Sequence, residues 1–179
     1  LSKDPSVFSN LEVALKNAEI YKIDILKQMA LRRTLIMFYT AQSDFANINK
    51  MAKWLEEQEV THKIKLSNLN EHYKEIYAWY LIYRGLYREF TDGDYNNGLA
   101  DLNQANQIIE NYSQNIDLLF NAYANIAQIA IYRGDVVNTE MSLEQCSMLI
   151  TKYPEHAFDM EVYNYFKAIL ALEKGEYNI

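Results

Sequence analysis

The chain has 179 residues, half of them hydrophobic, and a net charge of −7. That is too apolar for disorder and long enough for one sizeable core or an array of small repeated units. A single cysteine, Cys146, excludes an internal disulfide and a four-cysteine zinc site, no run of 18 apolar residues is present to cross a membrane, and the acidic balance disfavours direct binding to phosphate backbones.

With two prolines, Pro5 and Pro154, and five glycines, long uninterrupted elements are expected, which points to helices. Periodicity agrees. In "NLEVALKNAEIYKI" the residues Leu11, Leu15 and Ala18 fall at helical spacing, and strand-like alternation is not sustained in any window. In chain order the pattern predicts helices over about 6–20, 24–41, 44–58, 68–91, 94–111, 116–133, 136–152 and 157–174. Charge is uneven along them: residues 1–74 carry 11 Lys/Arg against 9 Asp/Glu, and residues 75–179 carry 6 against 15. The chain starts at Leu and stops just after a helix-break signal, so both ends are read as cuts; the lone cysteine and the lack of a signal-like start favour the cytoplasm.

The breaks carry the organisation. Gly93-Asp94-Tyr95, Gly134-Asp135-Val136 and Gly175-Glu176-Tyr177 stand 41 residues apart, and a weaker copy, Ser43-Asp44-Phe45, lies 50 residues before Gly93. Such a period signals stacked supersecondary units. In each, Gly ends one helix with its freedom at positive φ, and an acidic residue opens the next where the helix dipole favours it. "TDGDYNNG" at 91–98 is therefore punctuation. As a calcium loop from Asp92 it would place Gly98 at position 7 instead of 6 and Asn103 where a bidentate Glu is needed; as a hairpin it lacks alternating flanks.

"YRGD" followed by a helix, with the Gly-Asp/Glu-Tyr punctuation, resembles the tetratricopeptide (TPR) helix-turn-helix. The common TPR period is about 34 residues, so this is a longer-helix version, and Gly98, Thr139 and Cys146 stand where Ala is usual. Over about residues 24–179 the resemblance implies an all-α fold, a right-handed superhelix of TPR-like antiparallel helix pairs at about 24–58, 68–111, 116–152 and 157–179, the last truncated. Together with residues 1–23 these make a single domain, 1–179. The long, Tyr-rich repeats further resemble the peptide-sensing regulators of the Rgg/MutR and PlcR group. That resemblance implies a dimer that senses a short signalling peptide on its concave face and reaches DNA only through an N-terminal domain absent from this chain.

The chemistry of the residues is that of binding. Neither glycine-rich phosphate loop occurs, His62, His72 and His156 lie far apart, and Cys146 shares an apolar stripe with Leu143 and Ile150, so no enzyme, cofactor or metal is expected. In "NIDLLFNAYANIAQIAIYRGD" the residues Asn121, Asn125, Gln128 and Tyr132 share one uncharged helix face. Amides donate and accept, which suits an extended peptide backbone. Alignment of the units on their breaks extends this face to Ala124, to Arg33 and Met37, to Tyr80, Tyr83, Arg84 and Tyr87, and to Tyr165. In the TPR-like family these first-helix positions line the concave surface. Their mixture fits a short hydrophobic peptide whose carboxylate end is held by Arg. The alternative is a general TPR-like interaction scaffold that docks a folded partner without a peptide signal.

Overall fold

The computed structural model describes residues 5–176, and everything in that range is helix or short connection. The helices are α1 (Pro5–Ile20), α2 (Ile25–Ala41), α3 (Phe45–Val60), α4 (Glu71–Tyr87), α5 (Tyr95–Tyr112), α6 (Ile116–Tyr132), α7 (Val136–Lys152) and α8 (Met160–Glu173). The helix expected from residue 68 begins at Glu71, because Leu66–Asn68 forms a 3-10 turn and Asn70 accepts from the Tyr73 N–H at 3.0 Å. The one expected from 157 begins at Met160, where Asp159 accepts from the Val162 N–H at 3.1 Å.

The breaks share one local chemistry. Ser43, Gly93, Gly134 and Gly175 all have positive φ, between 56° and 74°. After the first three, an aspartate caps the next helix and is itself clamped by an asparagine three residues on. Asp44 accepts from the Asn47 N–H at 3.2 Å and its Nδ2 at 2.7 Å, Asp94 from Asn97 at 3.3 and 2.7 Å, and Asp135 from Asn138 at 3.0 and 2.7 Å. This Asp-x-x-Asn pattern stands in plain view in "DFAN", "DYNN" and "DVVN" and is a second repeat signal beside the glycines. It satisfies helix-start N–H groups that have no partner within the helix.

One break differs. The N–H of Asp44 donates to Tyr39 O and that of Asp135 to Ala130 O, both five residues back, the closure of a helix that ends in a left-handed residue. Asp94 donates to Arg88 O, six residues back, because Arg88–Asp92 is a π turn holding one extra residue.

Consecutive helices pack on each other, and the first helices of successive pairs also pack in a row, α2 on α4, α4 on α6 and α6 on α8. The core lies between this row and the second helices: Leu35, Tyr80, Leu81 and Ile129 of the row and Leu55, Leu102 and Ile108 of α3 and α5 are all fully buried. A second cluster joins α6, α7 and α8 through Phe120, Ala127, Cys146 and Phe166. α4 and α5 cross closely, since a Cβ on either Gly85 or Gly98 would sit 2.8 Å from the other's carbonyl oxygen.

Candidate functional site

The expected ligand face divides sharply by burial. On α6, Asn121 and Tyr132 are exposed and Asn125 and Gln128 half-buried. Among the described residues none of the three amide side chains has a hydrogen-bond partner within the chain. Tyr132 meets Phe90 edge-on at 5.6 Å. On α2, Arg33 and Met37 are half-buried, and the Arg33 guanidinium lies 4.9 Å from the centre of the Trp79 ring on α4. Tyr83 stacks on the same Trp79 at 5.9 Å. Burial pushes the Tyr83 phenol up against the opposing pull of Arg33. Tyr165 on α8 is exposed.

Four of the expected residues lie inside instead. Tyr80 is 0 % exposed and its hydroxyl donates to the Met51 carbonyl of α3. Ala124 and Tyr87 are buried, and the Tyr87 hydroxyl donates to Asp92 at 3.3 Å. Arg84 is gripped by Asp101 through two bonds of 2.8 and 2.7 Å and by Glu59 at 2.6 Å. Burial alone would lower that guanidinium, but the Asp101 and Glu59 carboxylates hold it above its ordinary value. Burial likewise pushes the Asp101 carboxyl up while Arg84 and Arg88 pull it down; with both guanidiniums in bonding contact, the geometry is that of an ionised cluster. Arg88 extends it to Glu56, and Tyr77 donates to Glu59. These side chains join α3, α4, α5 and the turn at Arg88, and at their centre Arg84 and Asp101 are buried and fully engaged with each other.

Ala124 lies inside because it packs in the second core cluster with Phe120, Cys146 and Phe166. For the three residues of α4 the π turn is the physical reason. Counting back from Gly93 without its extra residue pairs Tyr80 with Asn121 and Arg84 with Asn125. Restoring that residue pairs Trp79 with Asn121, Tyr83 with Asn125 and Leu86 with Gln128, and on this register Tyr83, Asn125, Leu86 and Gln128 are all half-buried. Trp79 and Leu86 are therefore the face residues of α4 that the break alignment passes over. No feature of "REFTD" marks a π turn in the sequence.

Arg33 has a further property. Arg32 pairs with Glu19, Arg84 and Arg88 with the Asp101 cluster, and Arg133 with Glu89 at 2.6 Å. Arg33, the fifth arginine, has no carboxylate partner among the described residues, and its Nε is buried without a hydrogen bond. It is a cation held over an aromatic ring with donors to spare.

Elsewhere the chemistry is structural. Cys146 is 0 % exposed, burial pushes its thiol up to about 12, and its Sγ contacts the Phe120 carbonyl at 3.8 Å. His156 lies 3.0 Å from Asp117 and stacks on Phe158. Among the described residues no group of three or more His, Cys, Asp or Glu is placed to hold a metal ion, and no helix is long and apolar enough to cross a membrane.

Fold and face together define an all-helical protein whose first-helix row presents uncharged amides and, among the described residues, one unpaired arginine. No family model, curated protein or solved structure matches the chain.

Proposed function

We propose that the chain is a regulatory ligand-binding domain of TPR-like helix pairs that takes a short, largely hydrophobic peptide on its first-helix face. The first helices touch one another in series, whereas α3, α5 and α7 pack mainly on first helices, which supports an array with the first helices on its inner side; a right-handed curvature is what the TPR-like resemblance implies. The observation that carries the ligand reading is Arg33, a guanidinium on Trp79 with no carboxylate of its own, on the row that also presents Asn125 and Gln128. A peptide's terminal carboxylate would complete Arg33, and its backbone would complete the amides. In keeping with the Rgg/MutR/PlcR resemblance, the domain would act as a cytoplasmic dimer and pass the signal to DNA through an N-terminal domain.

The test is isothermal titration with short hydrophobic peptides, each made with a free carboxylate and with a terminal amide. The free acids bind, the amides bind at least about ten-fold more weakly, and Arg33→Met abolishes that difference, a loss of about 1.4 kcal/mol or more. Absence of binding across the set would sink the peptide reading and leave the general scaffold.

A further inference from the structure

We infer that the opposite, second-helix side of the array carries a docking groove for a cationic amphipathic helix of a partner protein. This goes beyond the peptide reading and does not depend on what the first-helix face binds.

Two clefts, of about 590 and 350 Å³, open between α5 and α7 and share Glu110, Tyr123 and Gln145 as lining residues. They are one groove crossed by a single strap, the Tyr123 hydroxyl donating to the Glu110 carboxylate. A helical stripe runs along each surface of the groove. Leu119, Tyr123 and Ile126 of α6 form the floor, and Asn138, Met141, Gln145, Met148 and Lys152 of α7 form one wall. The lining of α7 from residue 138 to residue 152 extends about 21 Å, the length of a helix of roughly fourteen residues. The other wall is α5, lined by Asn103 and Glu110.

Two observations identify the occupant. Met141 and Met148 are 59 % and 57 % exposed, and exposed methionines beside an apolar floor adapt to the apolar face of a helix. The middle of the rim is acidic, with Glu110 and Glu144 exposed on opposite walls and the rim's one cation, Lys152, at the end of α7, in the part of the chain where Asp and Glu outnumber Lys and Arg by 15 to 6. A lysine or arginine in the middle of a partner helix would displace the Tyr123 hydroxyl from Glu110 and merge the two clefts. A second copy of this acidic face would instead bring like charge to the rim.

The experiment uses a fluorescein-labelled fourteen-residue Leu/Lys peptide in helical register and a Leu/Glu peptide with the same apolar face, read by fluorescence anisotropy. The Leu/Lys peptide binds saturably at one site, the Leu/Glu peptide does not, and Met148→Lys or Glu110→Lys each weakens binding about ten-fold or more. Circular dichroism of both variants matches the parent, and Glu161→Lys, a charge reversal on α8 outside the groove, leaves binding unchanged. Equal binding of the two peptides, an equal loss in Glu161→Lys, or no saturable binding overturns the proposal. So does a sedimentation mass that falls from dimer to monomer in Met148→Lys, which would make the occupant a second copy.

Discussion

The hydroxyl of Tyr95 donates to Oδ2 of Asp135 at 2.7 Å, across forty residues of sequence. Tyr95 is the first residue of α5 and Asp135 caps α7, so the aromatic of one break is tied to the carboxylate of the next. Arg133 reinforces the tie by donating to the Gly93 carbonyl at 2.9 Å and to Glu89 at 2.6 Å. Replacing Asp135 by Ala removes a cap and costs about 1 kcal/mol, Tyr95→Phe costs about 0.5–1.5 kcal/mol, and the double variant costs less than their sum. A double-mutant cycle from urea unfolding checks this; strict additivity would show that the two breaks are not coupled.

The same aspartate sets an acid limit. The Asn138 side-chain and backbone bonds, and then Tyr95, hold the Asp135 carboxyl below its ordinary value, and Asn97 does the same for Asp94. A carboxyl lowered on folding contributes stability that is fully present above the unfolded value of about 3.9 and is lost as pH falls through the folded one. Carbon-13 carboxyl titration therefore gives midpoints below the ordinary range for both residues. In the Asn138→Ala variant the Asp135 midpoint moves back up.

Crowding and backbone angle separate two kinds of glycine. At Gly98 an added Cβ meets the Gly85 carbonyl oxygen at 2.8 Å, and backbone cannot step aside, so Gly98→Ala costs about 1–3 kcal/mol through overpacking of α4 on α5. Gly134 has open space around it but φ of 68°, so Gly134→Ala costs about 1–2 kcal/mol from the left-handed backbone alone. Gly134→Asn, tolerant of that region, recovers part of the loss, whereas Gly98→Asn recovers nothing. Thermal melts of the four variants distinguish the two causes.

The ion cluster between α3, α4 and α5 should respond asymmetrically. Arg84→Met leaves Asp101, itself 4 % exposed, with Arg88 alone and costs about 3 kcal/mol or more. Arg84→Met combined with Asp101→Leu removes both buried charges and returns most of that stability. A double variant less stable than Arg84→Met would show that the pair contributes more than its mutual neutralisation.

How legible this molecule is from its residues depends on the range of the physics involved. Helix content, the breaks at Ser43, Gly93, Gly134 and Gly175, and the capping aspartates are local: each needs only a turn of backbone and a side chain three residues away, so they stand in the sequence. The amide face of α6 is legible for the same reason, since Asn121, Asn125 and Gln128 share a side by helical period alone. Which residues of α4 face outward is different. A single extra residue in the π turn of Arg88–Asp92 rotates the register by about 100° relative to the break. That exchanged Tyr80, Arg84 and Tyr87, which are core, for Trp79, Tyr83 and Leu86, which share the half-buried face. Arg84 also shows why residue type cannot settle a role: a guanidinium is suited equally to a ligand's carboxylate and to Asp101, and only the packing of α5 against α4 decides between them. The sequence by itself therefore determined the helices, their caps and their repeat, because those follow from interactions within a few residues. Tertiary structure alone decided which arginine is left unpaired and that α5 and α7 stand apart over α6, because both depend on which helices meet.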